Sequence, residues 1–150
     1  MSKNTVGRYL DLLEKSFVLF NLRPYYLNQR KAISKKSKYY FFDLGIRNAI
    51  IGNFNPIENR PDKGALWENF LAIERIKKQA YSNIFANNFF WRTHDQKEID
   101  WVEEREGKLY GYEFKWGRDK KSKNKNAWLA ANPDNAFFDT ISPQNYAIFI

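Results

Sequence analysis

Apolar residues near the start of the chain recur at the spacing of a helix. The set consists of Val6, Tyr9, Leu10, Leu12, Leu13 and Phe17. This spacing predicts a helix, and Asn4 or Thr5 can serve as its N-cap. Residues 17–22 then form a short apolar run of strand character, and the basic segment 23–37 follows as a long loop or ribbon tip.

A second apolar run, residues 39–42, predicts another strand. Asp43 can cap a short helix over residues 44–51, which Gly52 would end. Helix, strand, basic tip and strand is the order of the last helix and wing of a winged helix. We therefore expect a partial winged-helix-like segment over residues 1–52 and a linker over residues 53–63, where Asn, Pro and Gly are frequent.

Periodicity changes after the linker. The predicted elements, in chain order, are a helix over 65–79, strands over 84–93, 97–104 and 108–116, a helix over 120–131 and a strand over 136–141. The turns between the three strands contain His94-Asp95-Gln96 and Glu106-Gly107. We expect residues 64–150 to form an α/β domain of order αβββαβ, with a mixed sheet flanked by helices.

Composition narrows the class of protein. Apolar residues make up 43% of the 150 residues, which is enough for a packed core, and the absence of cysteine excludes disulfides and thiolate metal sites. No apolar run approaches the ~20 residues of a membrane helix, and no signal-peptide stretch follows Met1. We expect a cytoplasmic protein that does not contact membranes.

The net charge of +8 is unevenly distributed. Between Lys15 and Phe42 the chain contains seven Lys or Arg and no acidic residue, and a second cluster of basic residues lies between Lys115 and Lys125. Such segments attract polyanions, although they also serve as solvated surface. The candidate DNA contacts, mainly to the phosphate backbone, are Arg23, Arg30, Lys31, Lys35, Lys36, Lys38, Arg92, Lys120 and Lys121. Arg92 could equally pair with an acidic side chain.

Candidate chemistry lies in Tyr112-Glu113-Phe114-Lys115. In a strand, Glu113 and Lys115 project to the same face. If the preceding strand pairs with this one, Asp100 can lie near Glu113, and two carboxylates at that separation repel unless a divalent cation lies between them. Glu68, on the predicted apolar helix, would be a third oxygen donor, and Glu98 shares a face with Asp100.

These residue types suit phosphodiester hydrolysis. Asp100, Glu113 and the backbone carbonyl of Phe114, with Glu68, would hold Mg²⁺ or Mn²⁺ and lower the pKa of a bound water. Lys115 would orient the attacking water and offset the growing charge. The alternative is that Asp100 and Glu113 are surface strand residues that pair with Lys115 and Arg92.

The chain resembles a known family along most of its length. The matching stretches are Thr5-Val6-Gly7-Arg8-Tyr9-Leu10, Lys38-Tyr39-Tyr40-Phe41-Phe42-Asp43-Leu44-Gly45, Gly64-Ala65-Leu66-Trp67-Glu68-Asn69-Phe70, Phe90-Trp91-Arg92, Glu98-Ile99-Asp100-Trp101-Val102 and Tyr112-Glu113-Phe114-Lys115. They resemble the C-terminal domain-of-unknown-function family of prokaryotic AAA-type ATPases. Glu68, Asp100 and Glu113-x-Lys115 further resemble the PD-(D/E)XK nuclease superfamily.

The resemblance implies a restriction-endonuclease-like core preceded by a winged-helix-like segment. It also implies an ATPase domain as partner, although this chain has no phosphate-binding Gly-x-x-x-x-Gly-Lys-Ser/Thr loop and hence no ATP site. We therefore expect a fragment or a truncated relative. Ile99 stands where the superfamily motif has proline.

Three functions are compatible with these residues. The first is a Mg²⁺-dependent, DNA-binding nuclease. The second is a catalytically inactive DNA-binding or protein-docking module of the ATPase. The third is a regulatory component whose partner is a protein.

Overall fold

A computed structural model describes residues 2–26, 37–117 and 122–150 of the chain. The helices are α1 (Lys3–Lys15), α2 (Leu44–Ile50), α3 (Lys63–Tyr81), α4 (Lys125–Ala131) and α5 (Tyr146–Phe149), with a 3-10 helix at Ile57–Asn59. The strands are β1 (Leu19–Pro24), β2 (Lys38–Phe41), β3 (Asn87–Arg92), β4 (Glu98–Arg105), β5 (Lys108–Phe114) and β6 (Ala136–Ile141). The predicted order αβββαβ after the linker is confirmed up to β6, and α5, which was not predicted, follows it.

Six strands form one mixed sheet in the order β2-β1-β3-β4-β5-β6. β1 runs parallel to β3, and β5 runs parallel to β6, while the other neighbours are antiparallel. The α/β class with a mixed sheet flanked by helices is therefore confirmed. Strands from both parts of the chain share this sheet, and the division at residues 53–63 stays a prediction.

Local turn chemistry explains two of the boundaries. Asp43 caps α2 as predicted, because its carboxylate accepts hydrogen bonds from the backbone N–H groups of Gly45 and Ile46. Glu106 and Gly107 connect β4 and β5, and both have positive φ, as a tight two-residue hairpin loop requires.

Other predicted boundaries were wrong by a few residues. Ser2, rather than Asn4 or Thr5, caps α1, because its hydroxyl accepts from the Thr5 N–H. β3 begins three residues later than predicted, because Asn83 adopts positive φ and the Ile84 N–H still bonds to the carbonyl of Gln79 at the end of α3. α4 begins at Lys125 instead of residue 120, and residues 118–121 lie outside the described part.

α3 covers one face of the sheet and α4 covers the other. On the α3 side, Trp67 and Leu71 pack with a buried set that includes Trp101 and Phe114. On the α4 side, Trp128 packs with a second set, composed of Trp91, Ile99, Val102 and Leu109. Trp128 approaches β5 so closely that a Cβ at Gly111 would lie 2.7 Å from its indole Nε1. Glycine is therefore required there.

A buried ion pair links α3 to the middle of the sheet. The guanidinium of Arg75 donates to both carboxylate oxygens of Glu103, at 2.5 and 2.9 Å, and to the carbonyl of Phe149 at 2.6 Å. The indole of Trp101 also donates to Glu103 at 3.1 Å. Both charged side chains are buried and have lost their hydration. The attraction between them is the main interaction that offsets this loss.

No described helix combines the length and the apolar character that crossing a bilayer would need.

We expect Glu103→Gln to destabilise the fold by about 3–5 kcal/mol, because the Arg75 charge would remain buried without its counter-charge. Urea unfolding measures the change. Glu104→Gln is the matched control, since the neighbouring carboxylate accepts a solvent-exposed hydrogen bond from the neutral amide of Asn87 at 3.3 Å. This substitution should change stability by less than about 0.5 kcal/mol. Equal effects of the two substitutions would contradict this account.

Candidate acidic site

Three carboxylates converge on one ammonium group at the edge of the sheet. The Nζ of Lys38 lies 2.7 Å from Oε1 of Glu68 and 3.4 Å from Oδ1 of Asp100, and it also pairs with Glu98. The Lys38 side chain is only 17% exposed. We call Lys38, Glu68, Glu98 and Asp100 the acidic cluster.

α3 and β2 are held in register by a side chain that clamps backbone. The amide of Asn69 accepts from the Phe41 N–H at 2.9 Å and donates to the Phe41 carbonyl at 2.7 Å. Because residues 38 and 40 share a face of β2, this clamp brings both of them to Glu68. The hydroxyl of Tyr40 donates to the same Glu68 oxygen at 2.8 Å.

Asp100 reaches the cluster because β4 is irregular. The register between β3 and β4 shifts between Phe89 and Trp91, so β4 carries one extra residue. Trp101 packs on the α3 side, whereas Ile99 and Val102 pack on the α4 side. Asp100, which contacts Lys38, therefore lies on the same side as its neighbour Trp101. Its other oxygen accepts from the Phe114 N–H at 2.8 Å.

The electrostatics of the cluster make the carboxyl group of Asp100 harder to ionise than an ordinary Asp. Burial and, to a lesser extent, the charge of Glu68 raise the pKa of Asp100, and Lys38 and the Phe114 N–H oppose the shift, so that the pKa lies at about 6. Burial would lower the pKa of Lys38, but the charges of Glu68 and Asp100 outweigh it and hold that pKa above its ordinary value. Burial and Glu68 raise the pKa of the Tyr40 hydroxyl well above its ordinary value.

Glu113 and Lys115 form a separate pair. The Lys115 ammonium lies 2.5 Å from Oε1 of Glu113, which also accepts from the Asn124 side chain at 3.2 Å. Glu113 shares its strand face with Gly111, against Trp128, and so lies on the α4 side. Its Oε2 atom is buried and has no hydrogen-bond partner among the described residues.

The structure thus brings together some of the predicted catalytic residues and separates others. Glu68 and Asp100 meet at Lys38, whereas Glu113 contacts Lys115 and Asn124, the residue before α4. The contact between Phe114 and Asp100 is made by the Phe114 N–H instead of the predicted metal-binding carbonyl. The catalytic roles of these residues stay predictions.

The residues do not fit a divalent metal in this arrangement. Carboxylate oxygens are the donors that Mg²⁺ prefers, but the point on which they converge is taken by the Lys38 ammonium. Across residues 2–26, 37–117 and 122–150, no group of three or more His, Cys, Asp or Glu side chains is placed to hold a metal ion.

Three of the candidate DNA contacts can be located. Arg23 is exposed on β1. Arg92 is 43% exposed and pairs with Glu98. This pairing with an acidic side chain is the alternative to a DNA contact that the sequence left open. Lys38 lies in the acidic cluster. The remaining candidates, Arg30, Lys31, Lys35, Lys36, Lys120 and Lys121, lie outside the described residues.

Sequence reasoning missed the role of Lys38 as the centre of the cluster, together with Tyr40 and Asn69. The alternation in Lys38-Tyr39-Tyr40 places residues 38 and 40 on one face of a strand. That pattern could have predicted that they share a site, but not which carboxylates they meet.

Comparison with known proteins places the chain among domains without an assigned activity. Residues 63–146 match the family described as Domain of unknown function (DUF4143), and residues 1–56 match one described as Domain of unknown function (DUF8612). The part of the sequence-based resemblance that concerns a domain-of-unknown-function family is confirmed. No solved structure matches the chain closely enough to count as similar.

The relatives are bacterial. The chain is 31% identical over 117 residues to Uncharacterized protein Rv2008c of Mycobacterium tuberculosis and, equally, to Uncharacterized protein Mb2031c of Mycobacterium bovis, covering 77% of this chain and 26% of each relative. It is 30% identical over 105 residues to an uncharacterized protein of Haemophilus influenzae, covering 67% of this chain and 22% of that protein. The matched part therefore spans about a quarter of each relative.

We expect Asp100→Asn to become more stable relative to wild type as the pH rises from about 4 to about 7. The folded-state pKa of Asp100 is raised from 3.8 to about 6, so the wild type loses stability as pH rises through that range, while the amide cannot ionise. The difference should reach about 1–3 kcal/mol.

Urea unfolding at several pH values measures this difference. Asp139→Asn, which removes an exposed carboxylate outside the acidic cluster, is the control. A difference between Asp100→Asn and wild type that stays constant with pH would contradict the assignment of charge in the cluster.

Proposed function

This chain belongs to the family of domains of unknown function DUF4143, and from that premise we propose that it is a non-catalytic docking module of a larger, ATPase-type protein. The proposal includes the finer fold assignment made from the sequence: a restriction-endonuclease-like core preceded by a partial winged-helix-like segment. The order αβββαβ after residue 63 supports the first part. The succession of α1, β1 and β2 supports the second part.

The observation that carries the proposal is a set of exposed apolar side chains on the first part of the chain. None of the residues of α1 or α2 is buried among the described residues. The large apolar side chains that remain exposed there are Val6, Tyr9, Leu12, Leu13, Phe17, Ile46, Ile50, Ile51 and Phe54. We call this set the α1–α2 apolar surface. Phe17, which is 76% exposed, contacts Phe42 just before α2 and so brings the two helices close at one end.

We infer that another protein surface packs against these exposed apolar side chains. A 13-residue helix is marginally stable in water unless its apolar face is packed, and α1 meets its own fold mainly at its C-terminal end, near β1. Soluble domains rarely expose large apolar patches unless these are interaction sites. A matching partner would present an apolar groove into which α1 and α2 can pack.

We assign the partner to the ATPase domain that the sequence resemblance implies. The relatives support a larger assembly, because the matched part makes up only about a quarter of their length. Docking of the α1–α2 apolar surface would bury the exposed side chains at a contact of ordinary protein–protein type. DNA binding by the basic segment, including the exposed Arg23, would be a second, salt-dependent activity of the same module.

A Mg²⁺-dependent nuclease is the second candidate function. One observation favours it: Oε2 of Glu113 is buried without a described hydrogen-bond partner, beside Lys115, whose ammonium lies 2.5 Å from Oε1 of the same carboxylate. A buried polar atom without a partner needs a physical explanation, and a catalytic role or a bound ion is one such explanation. The acidic cluster favours the docking proposal over the nuclease, because Lys38 already neutralises part of the negative charge that would attract a metal ion.

The docking proposal is tested with a double substitution, Leu12→Asp with Ile50→Asp, at side chains that are 59% and 68% exposed. The probe is the purified part of the Mycobacterium tuberculosis relative that lies outside the matched region. We expect calorimetric binding of wild type, and an affinity at least about a hundredfold lower for the double variant, because charges would enter an apolar contact.

Phe85→Asp is the matched control, because Phe85 is 88% exposed and lies outside the α1–α2 apolar surface. It should bind like wild type. Absence of binding by wild type, or equal loss in the control, would overturn the proposal. Self-association of wild type that the double variant abolishes would assign the surface to a second copy of the chain instead.

The nuclease candidate is tested by incubating supercoiled plasmid with the protein and Mn²⁺ or Mg²⁺. Under the docking proposal no nicking occurs. Nicking by wild type that Asp100→Asn and Glu113→Gln both abolish, while circular dichroism shows folded variants, would establish the nuclease instead. Nicking that survives both substitutions would point to a contaminant. A gel-shift series over increasing salt, run in EDTA, reports DNA binding separately from cleavage.

A further inference from the structure

We propose that Lys38 is the resident cation of the acidic cluster and that its ammonium keeps divalent metal ions out. The inference goes beyond docking and does not depend on it, because it concerns a different surface of the domain. It explains why carboxylate oxygens, which are the ligands that Mg²⁺ prefers, surround the ammonium group of Lys38.

The distances from Lys38 to the carboxylates show that the ammonium group and a metal ion would compete for the same position. The ammonium nitrogen lies 2.7 Å from the Glu68 carboxylate and 3.4 Å from that of Asp100, and it also pairs with Glu98. Mg²⁺ needs oxygen ligands at about 2.0–2.1 Å and Ca²⁺ at about 2.3–2.6 Å. An ion at those distances from the same carboxylates would overlap the lysine head group, so only one cation can bind at a time.

The charge balance also favours the lysine over an added ion. The negative charges of Glu68, Glu98 and Asp100 are opposed by Lys38 and by Arg92, which pairs with Glu98 from the exposed side. One unit of negative charge remains when all three carboxylates are ionised. A divalent ion that entered with Lys38 still in place would meet a net charge of only −1 instead of the −2 that the site has without Lys38, and electrostatic attraction to it would be weaker.

The lysine is held by its strand. Lys38 is the first residue of β2, and Asn69 fixes β2 to α3 through both backbone groups of Phe41. The ring of Phe90 lies 5.5 Å from the ammonium and contributes a cation–π contact. To admit a metal, the Lys38 side chain must leave a mostly buried position, so metal affinity is reduced by the free energy of that displacement.

The test is Lys38→Met, which keeps an unbranched chain and removes the charge. We expect Mn²⁺, added as the chloride, to bind Lys38→Met at least about tenfold more tightly than wild type in calorimetry. Mg²⁺ should raise the melting temperature of Lys38→Met and leave that of wild type unchanged.

Two variants separate the cluster from a general effect of charge. Lys115→Met removes a lysine that pairs with a single carboxylate, Glu113, and should behave like wild type. Lys38→Met combined with Glu68→Gln should lose the gained affinity. Lys38→Gln, whose amide can still donate to Glu68, replaces Lys38→Met if the latter does not fold.

Folded Lys38→Met or Lys38→Gln that binds Mn²⁺ no better than wild type would overturn the inference. Wild type that binds as tightly as the variant would overturn it as well. Neither result bears on the docking proposal, which is read from binding by the α1–α2 apolar surface.

Discussion

The register of α3 against the sheet is the constraint on which the rest of the structure depends. Asn69 fixes the helix to the backbone of β2 at one end, and Arg75 fixes it to Glu103 of β4 less than two turns later. Leu71 and Ala72, between these anchors, are fully buried. Because both anchors are directional and buried, sliding the helix by one residue would leave unpaired polar groups in the core.

The acidic cluster is a consequence of that register. Glu68 precedes Asn69 by one residue, so the clamp on Phe41 that orients Asn69 also brings Glu68 to Lys38 and Tyr40. The bulge in β4 then adds Asp100 from the centre of the sheet. One lysine holds together carboxylates that would otherwise repel one another. The cluster therefore contributes to the fold, independently of any further function.

The two ends of the chain contribute different surfaces. The second part has a buried apolar set on each face of the sheet, between α3 and α4, and leaves Tyr81, Phe85, Phe137 and Ile148 exposed. The first part supplies two strands to that sheet but leaves the apolar residues of α1 and α2 largely in solvent. A domain built this way has its own core and, at one side, apolar side chains that no described residue covers, which is the physical basis of the proposed docking role.

The sequence by itself determined the succession of α-helices and strands up to β6, the Asp43 cap and the hairpin at Glu106-Gly107, because periodicity and turn chemistry act over a few residues. It also selected Glu68 and Asp100 as members of one site. Only the tertiary structure decided that Lys38 stands between them and that Glu113 lies with Lys115 on the α4 side. Those outcomes depend on a one-residue bulge and on contacts between distant segments, and no local pattern encodes either of them.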